Sequence, residues 1–508
     1  MINHFFAKIL IRNISLKQIN LTLFCIIAFM LLFLFTKRIT PAIYGDGQEY
    51  FLLNQTFVNH FSPEVRPIDL QTAEKNLEER GDSSHFGYFD GINNFIKSKP
   101  KPMRNFWGAY SSYDNKIYTF HFWFYSLLNA PVTLLLKLLK TDQLRSFQLT
   151  NSIIILSILA YIIFISTLSD VRKTLATLLF LISGNSWYIS WSHPEIFSSA
   201  CIFLALVLLY DKRYFWSVAL AAIGSYQNPP IAFLIPFIFL KMLLDNGFKW
   251  KQFIPFGCVS LMTFLPPAFY YYHFKVINLL MVENVFYHQF ITLDRIHSLF
   301  FDLNQGMILS LPIILPLFLF DVIKKTIRRQ WKFTLWFPII IIAMAIPSIQ
   351  QNNWNMGESI IVRYSLWMSM LIVFYFIVEF DWQTRLHKIL IPIALITQLT
   401  TVLVFGGFTP SGRQYVIFNS GSTWVLNHHP SWYNPEPEIF GERVLQHEGI
   451  DSTDSPIIYY DANKNPTKMM VHKSRIDSLK HIGFDNQAII NKLKTSRFRY
   501  GWTYYDFK

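Results

Sequence analysis

Asp46 and Glu49 stand three residues apart in Tyr44-Gly45-Asp46-Gly47-Gln48-Glu49-Tyr50. Two carboxylates so spaced can move a proton as a general base, or hold a divalent cation such as Mg or Mn. Gly45 and Gly47 flank the aspartate and allow a tight turn. The motif follows directly on the apolar run Ile19–Thr36, which places the pair at a membrane edge. A solvated turn closing a helix is the plainer alternative. Two other stretches carry related chemistry. His193 and Glu195 occur in Ser192-His193-Pro194-Glu195 at the boundary of an apolar run, and Arg363-Tyr364 opens a later one. An arginine fork can bind two phosphate oxygens at once. Anchoring a helix end would equally explain Arg363, and an interfacial hydrogen bond would explain His193. His85, Asp90 and His121, in the long first loop, read as solvated loop residues rather than ligands.

The elements that must position these residues are set by composition. The chain has 508 residues, 52% hydrophobic and 15% charged, where soluble domains carry about 25% charge. The apolar residues fall in separate runs of spanning or near-spanning length, so the expectation is an all-α polytopic membrane protein. A net charge of +13 comes mostly from Lys and Arg flanking those runs. No basic patch interleaved with aromatics marks a soluble segment, which argues against nucleic acid. Cys25, Cys201 and Cys258 lie in apolar runs without a Cys-x-x-Cys, so neither a disulfide framework nor a thiolate metal site is indicated. Phosphate-binding glycine motifs of the P-loop and dinucleotide types are absent as well. Lys8, Arg12 and Lys17 precede the first run, which reads as a retained signal anchor.

Eleven runs read as spans: Ile19–Thr36, Phe147–Leu168, Thr174–Trp191, Ile196–Tyr210, Tyr214–Tyr226, Ile231–Leu244, Phe253–Tyr272, Met307–Ile323, Phe333–Ile349, Tyr364–Val378 and Ile389–Phe405. His121–Lys140 is also apolar, but Pro131 interrupts it and Lys137 and Lys140 load its end. Treating it as an interfacial or re-entrant helix puts the basic clusters at 8–17, 172–173, 212–213, 249–251, 324–332 and 385–388 on the inner side, as the positive-inside rule favours. The N-terminus is then cytoplasmic and the C-terminus outside, in a plasma (inner) membrane. The unusual residues gather on the outer face. The expected division is a membrane domain over 1–405, including a long outer loop 37–146, and a small α/β extramembrane domain over 406–508. In the latter, strands around Ile457–Tyr460 and Lys468–Val471 flank the turn formers Asp461–Pro466 as a hairpin. Glu438–Gln446 and Gln487–Lys494 read as short helices.

Five stretches together resemble the GT-C superfamily of integral-membrane glycosyltransferases. They are Gly45–Tyr50 after the first span; His121–Pro131, similar to the amphipathic helix closing the first loop; Ser192–Glu195 before a span; Asp302–Pro312, similar to a Gly-Leu-Leu…Pro signature; and Trp354–Glu358 with Arg363-Tyr364, similar to a Trp-x-Gly-Gly…Arg-Tyr pattern. The resemblance covers residues 1–405. Glu358 stands where a second Gly is usual, and Ile361-Val362 replaces Gly-Pro. It implies an inverting transfer from a polyprenyl- or dolichyl-phosphate sugar to a glycan, lipid or protein acceptor, with Asp46 as base and Glu49 beside it. It also implies that Arg363 contacts the donor phosphate, joined on this reading by Tyr364, His193 and Glu195. A transporter or flippase of lipid-linked glycans is the alternative, supported by Pro229-Pro230 and Pro266-Pro267. A non-catalytic membrane scaffold is a third.

Overall fold

The computed structural model describes residues 15–35, 41, 43–247, 250–282, 286–330, 335–354, 360–379, 385–408, 415–482 and 487–507. Among these residues the chain is mostly helical, with two small antiparallel sheets. It forms two compact units that interleave in sequence. The first takes Met1–Asn284, Ile313–Ala345 and Leu366–Thr409; the second takes Val285–Pro312, Ile346–Ser365 and Pro410–Lys508. A single boundary at 405/406 does not describe this arrangement, because two earlier stretches join the C-terminal one.

Among the described residues four helices are long and apolar enough to cross a membrane: Leu16–Phe33, Arg145–Ile165, Pro229–Asn246 and Phe253–Phe274. This fits a helical membrane protein, and it corrects the expectation of eleven spans. The other apolar runs do carry helices, but shorter or broken ones. Tyr214–Gly224 has 11 residues, about 16 Å against a hydrocarbon core of about 30 Å. The run Thr174–Trp191 breaks where Asp170–Ile182 ends, just before Gly184 at φ 98°. Met307–Ile323 splits into a short 3-10 turn, Met307–Leu309, and the helix Ile314–Ile327.

In the first unit, the loop after the first candidate span folds into three helices, Gly47–His60, Pro67–Glu78 and Phe86–Lys97, and a three-stranded sheet. Phe51, Leu52, Leu70, Phe89 and Phe147 form part of its buried core. Leaving that sheet, the chain enters the helix Phe124–Leu138, which packs on Gly47–His60 through a polar seam. Ser126 Oγ donates to the Tyr50 carbonyl (2.9 Å), Asn54 Nδ2 to the Ser126 carbonyl (3.1 Å) and Thr133 Oγ1 to Asn54 Oδ1 (2.8 Å). Several leucines of this helix instead face out: Leu134, Leu135 and Leu138 are exposed. Polar inside and apolar outside reverses the pattern of a helix that meets water.

The second unit carries the expected hairpin. Ile457–Tyr460 pairs antiparallel with Pro466–His472, and Trp502–Asp506 adds a third strand. Helices form over Pro437–Leu445 and Gln487–Thr495. Asp302 accepts from the Asn304 and Gln305 amides and from the Tyr433 hydroxyl, so the Asp302–Gly306 turn is a fixed part of this unit.

Candidate functional site

Asp46 ends a turn and begins the helix Gly47–His60 without capping it through its side chain. Gly45 takes φ 45° with open space around it, so backbone freedom is what glycine supplies there. Gly47 serves another purpose. A Cβ there would lie 2.2 Å from Ser192 Oγ and 3.3 Å from His193 Nε2. Only a bare backbone lets the acidic turn approach the Ser192-His193 loop this closely.

Glu49, one turn into the helix, points inward. Its Oε1 accepts from the His121 amide (2.9 Å) and its Oε2 from His121 Nδ1 (2.8 Å). With Nδ1 engaged, His121 turns Nε2 towards Asp46, 3.8 Å from Oδ2. The side chain of Glu49 is 4% exposed and that of Asp46 is 32% exposed. The two carboxylates are therefore unlike: one orients the imidazole and the other meets solvent. Tyr50 lies over His121 with ring centroids 4.7 Å apart. Tyr88, buried beside this group, has its phenol held well above its ordinary pKa by burial and then by the Glu49 and Asp46 charges.

His193 is buried and its Nε2 donates to the Tyr44 carbonyl (2.6 Å). Its ring packs on Trp191 and Tyr50, so it fastens the acidic turn. The loop that carries it is held by Asn151, whose Nδ2 donates to the Ile189 and Trp191 carbonyls and whose Oδ1 accepts from the Tyr125 hydroxyl. Glu195 is the first residue of the helix Glu195–Tyr210 and is buried, at the end where the helix dipole favours a carboxylate. Asp46, Glu49 and His193 thus come together. His121, read from sequence as a solvated loop residue, links Glu49 to Asp46. His85 Nδ1 donates to Gln48 Oε1 (3.0 Å), and Asp90 is exposed.

His121 also lines a cavity of about 540 Å³, with Phe122, Ile235, Leu261, Phe264 and Leu280 among its apolar walls. These walls include residues of two candidate spans, Pro229–Asn246 and Phe253–Phe274. As metal ligands, Asp46 and Glu49 fit poorly. Both Glu49 oxygens are engaged by His121, and among the described residues no group of three or more His, Cys, Asp or Glu is arranged to hold an ion.

Arg363 and Tyr364 belong to the second unit. Both are half-buried at the start of the helix Arg363–Glu379, just after the Val362 amide donates to the Gln305 carbonyl (2.9 Å). Asn355–Glu358 of the Trp354 motif lies outside the described residues. Trp354 itself is fully buried, its indole N–H donating to Ser298 Oγ (2.9 Å). No protein-family model matches the chain, and no curated protein or solved structure compared with it does so either.

Proposed function

We propose that the protein is a membrane glycosyltransferase that moves a sugar from a polyprenyl-phosphate donor to a glycan, lipid or protein acceptor on the outer face of the membrane. The observation that supports this best is the Glu49–His121–Asp46 cluster, whose histidine lines an apolar cavity beside two candidate spans. Such a cavity suits the chain of a lipid donor, and the cluster suits removal of a proton from an acceptor hydroxyl.

In this reading the acceptor oxygen attacks the anomeric carbon as the bond from that carbon to the phosphate oxygen breaks. The electron pair leaves with the phosphate, and the configuration inverts. The hydroxyl proton passes to Asp46, the carboxylate that solvent reaches. His121, fixed by Glu49 through Nδ1, presents Nε2 beside Asp46. The resemblance gives the donor phosphate to Arg363 and Tyr364, and the arginine fork can bind two of its oxygens. His193 and Glu195 hold the loop and helix against which the acidic turn rests.

Transfer of a labelled sugar from lipid phosphate in purified membranes tests this. Asp46→Asn keeps the shape and should lower turnover by about 10²–10⁴. Wild-type turnover in that variant, at matched protein level, overturns the mechanism. Arg363→Lys keeps charge but loses the fork, and should weaken donor binding by about 1–3 kcal/mol. Chelation with EDTA should leave turnover unchanged; loss restored by Mg or Mn would return Asp46 to the role of metal ligand.

A further inference from the structure

The second unit has a cavity of its own, about 370 Å³, which the transfer reading does not use. Its wall carries the carboxylates Glu436, Glu438, Glu442 and Glu448 against one guanidinium, that of Arg295. Arg295 is already committed within the protein. Its Nη1 donates to the Ile349 carbonyl (3.2 Å) and to that of Gln351. Its guanidinium carbon lies 4.0 Å from the centre of the Phe290 ring and 4.9 Å from that of Trp354. Its Nε is 3.4 Å from Glu436 Oε2.

Glu436 is the telling residue. It is 2% exposed, it lines the cavity, and its Oε1 has no hydrogen-bond partner among the described residues. A buried carboxylate oxygen without a donor is costly, and a donor brought by a ligand would offset that cost. An anion would be repelled by this lining, and a neutral polyol would gain nothing from its charge. A bare metal ion fits no better, because among the described residues no three of these groups converge on a point. The carboxylates are spread around a space that also has apolar walls, with Trp502, Ile450 and Pro437 among them.

We infer that this cavity binds an organic cation, an alkylammonium or guanidinium carried on a carbon skeleton, with Glu436 and Glu448 among the groups that take the charge. A basic side chain of a polypeptide and an amino sugar both present that chemistry. The inference goes beyond glycosyl transfer and stands without it.

Calorimetric titration of the full chain in detergent at about pH 7, where an exposed carboxyl and the amines of both cationic probes are largely ionised, tests the proposal. The probes are Nα-acetyl-lysine amide, glucosamine and its neutral relative N-acetylglucosamine. Saturable binding of either cation, with N-acetylglucosamine at least about tenfold weaker, is expected. Preference for the lysine probe identifies a polypeptide source, and preference for glucosamine an amino sugar. Glu436→Gln should weaken the cation by about tenfold or more. Glu448→Gln, a change at an exposed position that leaves the buried groups in place, should weaken it by a smaller factor. No cation binding up to roughly 10 mM, equal binding of N-acetylglucosamine, or unchanged affinity in both variants would overturn the proposal.

Discussion

Glu49 accepts twice from His121 while buried, and Asp46 is the carboxylate that solvent reaches. Substitution should therefore separate them by kind of effect. Glu49→Gln places an amide against the two N–H donors of His121 and should cost about 1–3 kcal/mol of stability, seen as a lower melting temperature in detergent. Asp46→Asn should leave melting almost unchanged and act on turnover. Equal melting for Glu49→Gln and wild type would mean that Glu49 does not hold the imidazole. Glu436 gives a second test, through pH. Burial, opposed by Arg295 and Arg499 and aided by Asp294, pushes its carboxyl from 4.5 up to about 7; Glu438, Glu442, Glu448 and Tyr500 share its cavity. Between those two values the folded chain keeps a proton that the unfolded chain has released. Glu436 therefore favours folding least at the alkaline end: its contribution falls as pH rises from about 4.5 to about 7 and is flat on either side. The full swing is on the order of 3 kcal/mol. Glu436→Gln should flatten this slope, measured as melting of the wild type and the variant at both ends of the range.

At the scale of elements, the helix Gly47–His60 can do its work only if it lies against the Ser192-His193 loop. Gly47→Ala drives a methyl into Ser192 Oγ, so turnover should fall although every proton-handling group remains. Removing the hydroxyl with Ser192→Ala should restore part of the loss, a coupling that a double-mutant cycle reads directly. Gly45→Ala should cost only about 1 kcal/mol, through backbone strain alone. Much at this scale was legible in sequence. The apolar runs foretold where helices form, and Asp461–Pro466 foretold the hairpin turn. What escaped was pairing over distance. Glu49 and His121 lie 72 residues apart, and no local pattern says that a loop histidine returns to a helix carboxylate. Helix interruptions were equally hidden: a hydropathy run looks the same whether the chain continues past Gly184 or turns there.

For the whole molecule, the basic clusters at 172–173, 212–213 and 324–332 predict one inner side. Lys325→Cys should resist an impermeant thiol reagent in intact cells, and labelling there would reverse the proposed arrangement. The interleaving of the two units bears on biogenesis. The second unit gathers Val285–Pro312 and Ile346–Ser365 with Pro410–Lys508, so a ribosome delivers its first pieces long before its last. Until the final stretch emerges, Arg295 lacks its Glu436 and Trp354 lacks the Glu438 carboxylate that accepts its amide. A nascent chain stalled near residue 405 would carry a guanidinium without its carboxylate and a Trp354 amide without its acceptor. Quality-control proteases and holdase chaperones select for such features, so shortening the C-terminus should appear first as rapid turnover of the whole polypeptide rather than as a lost appendage.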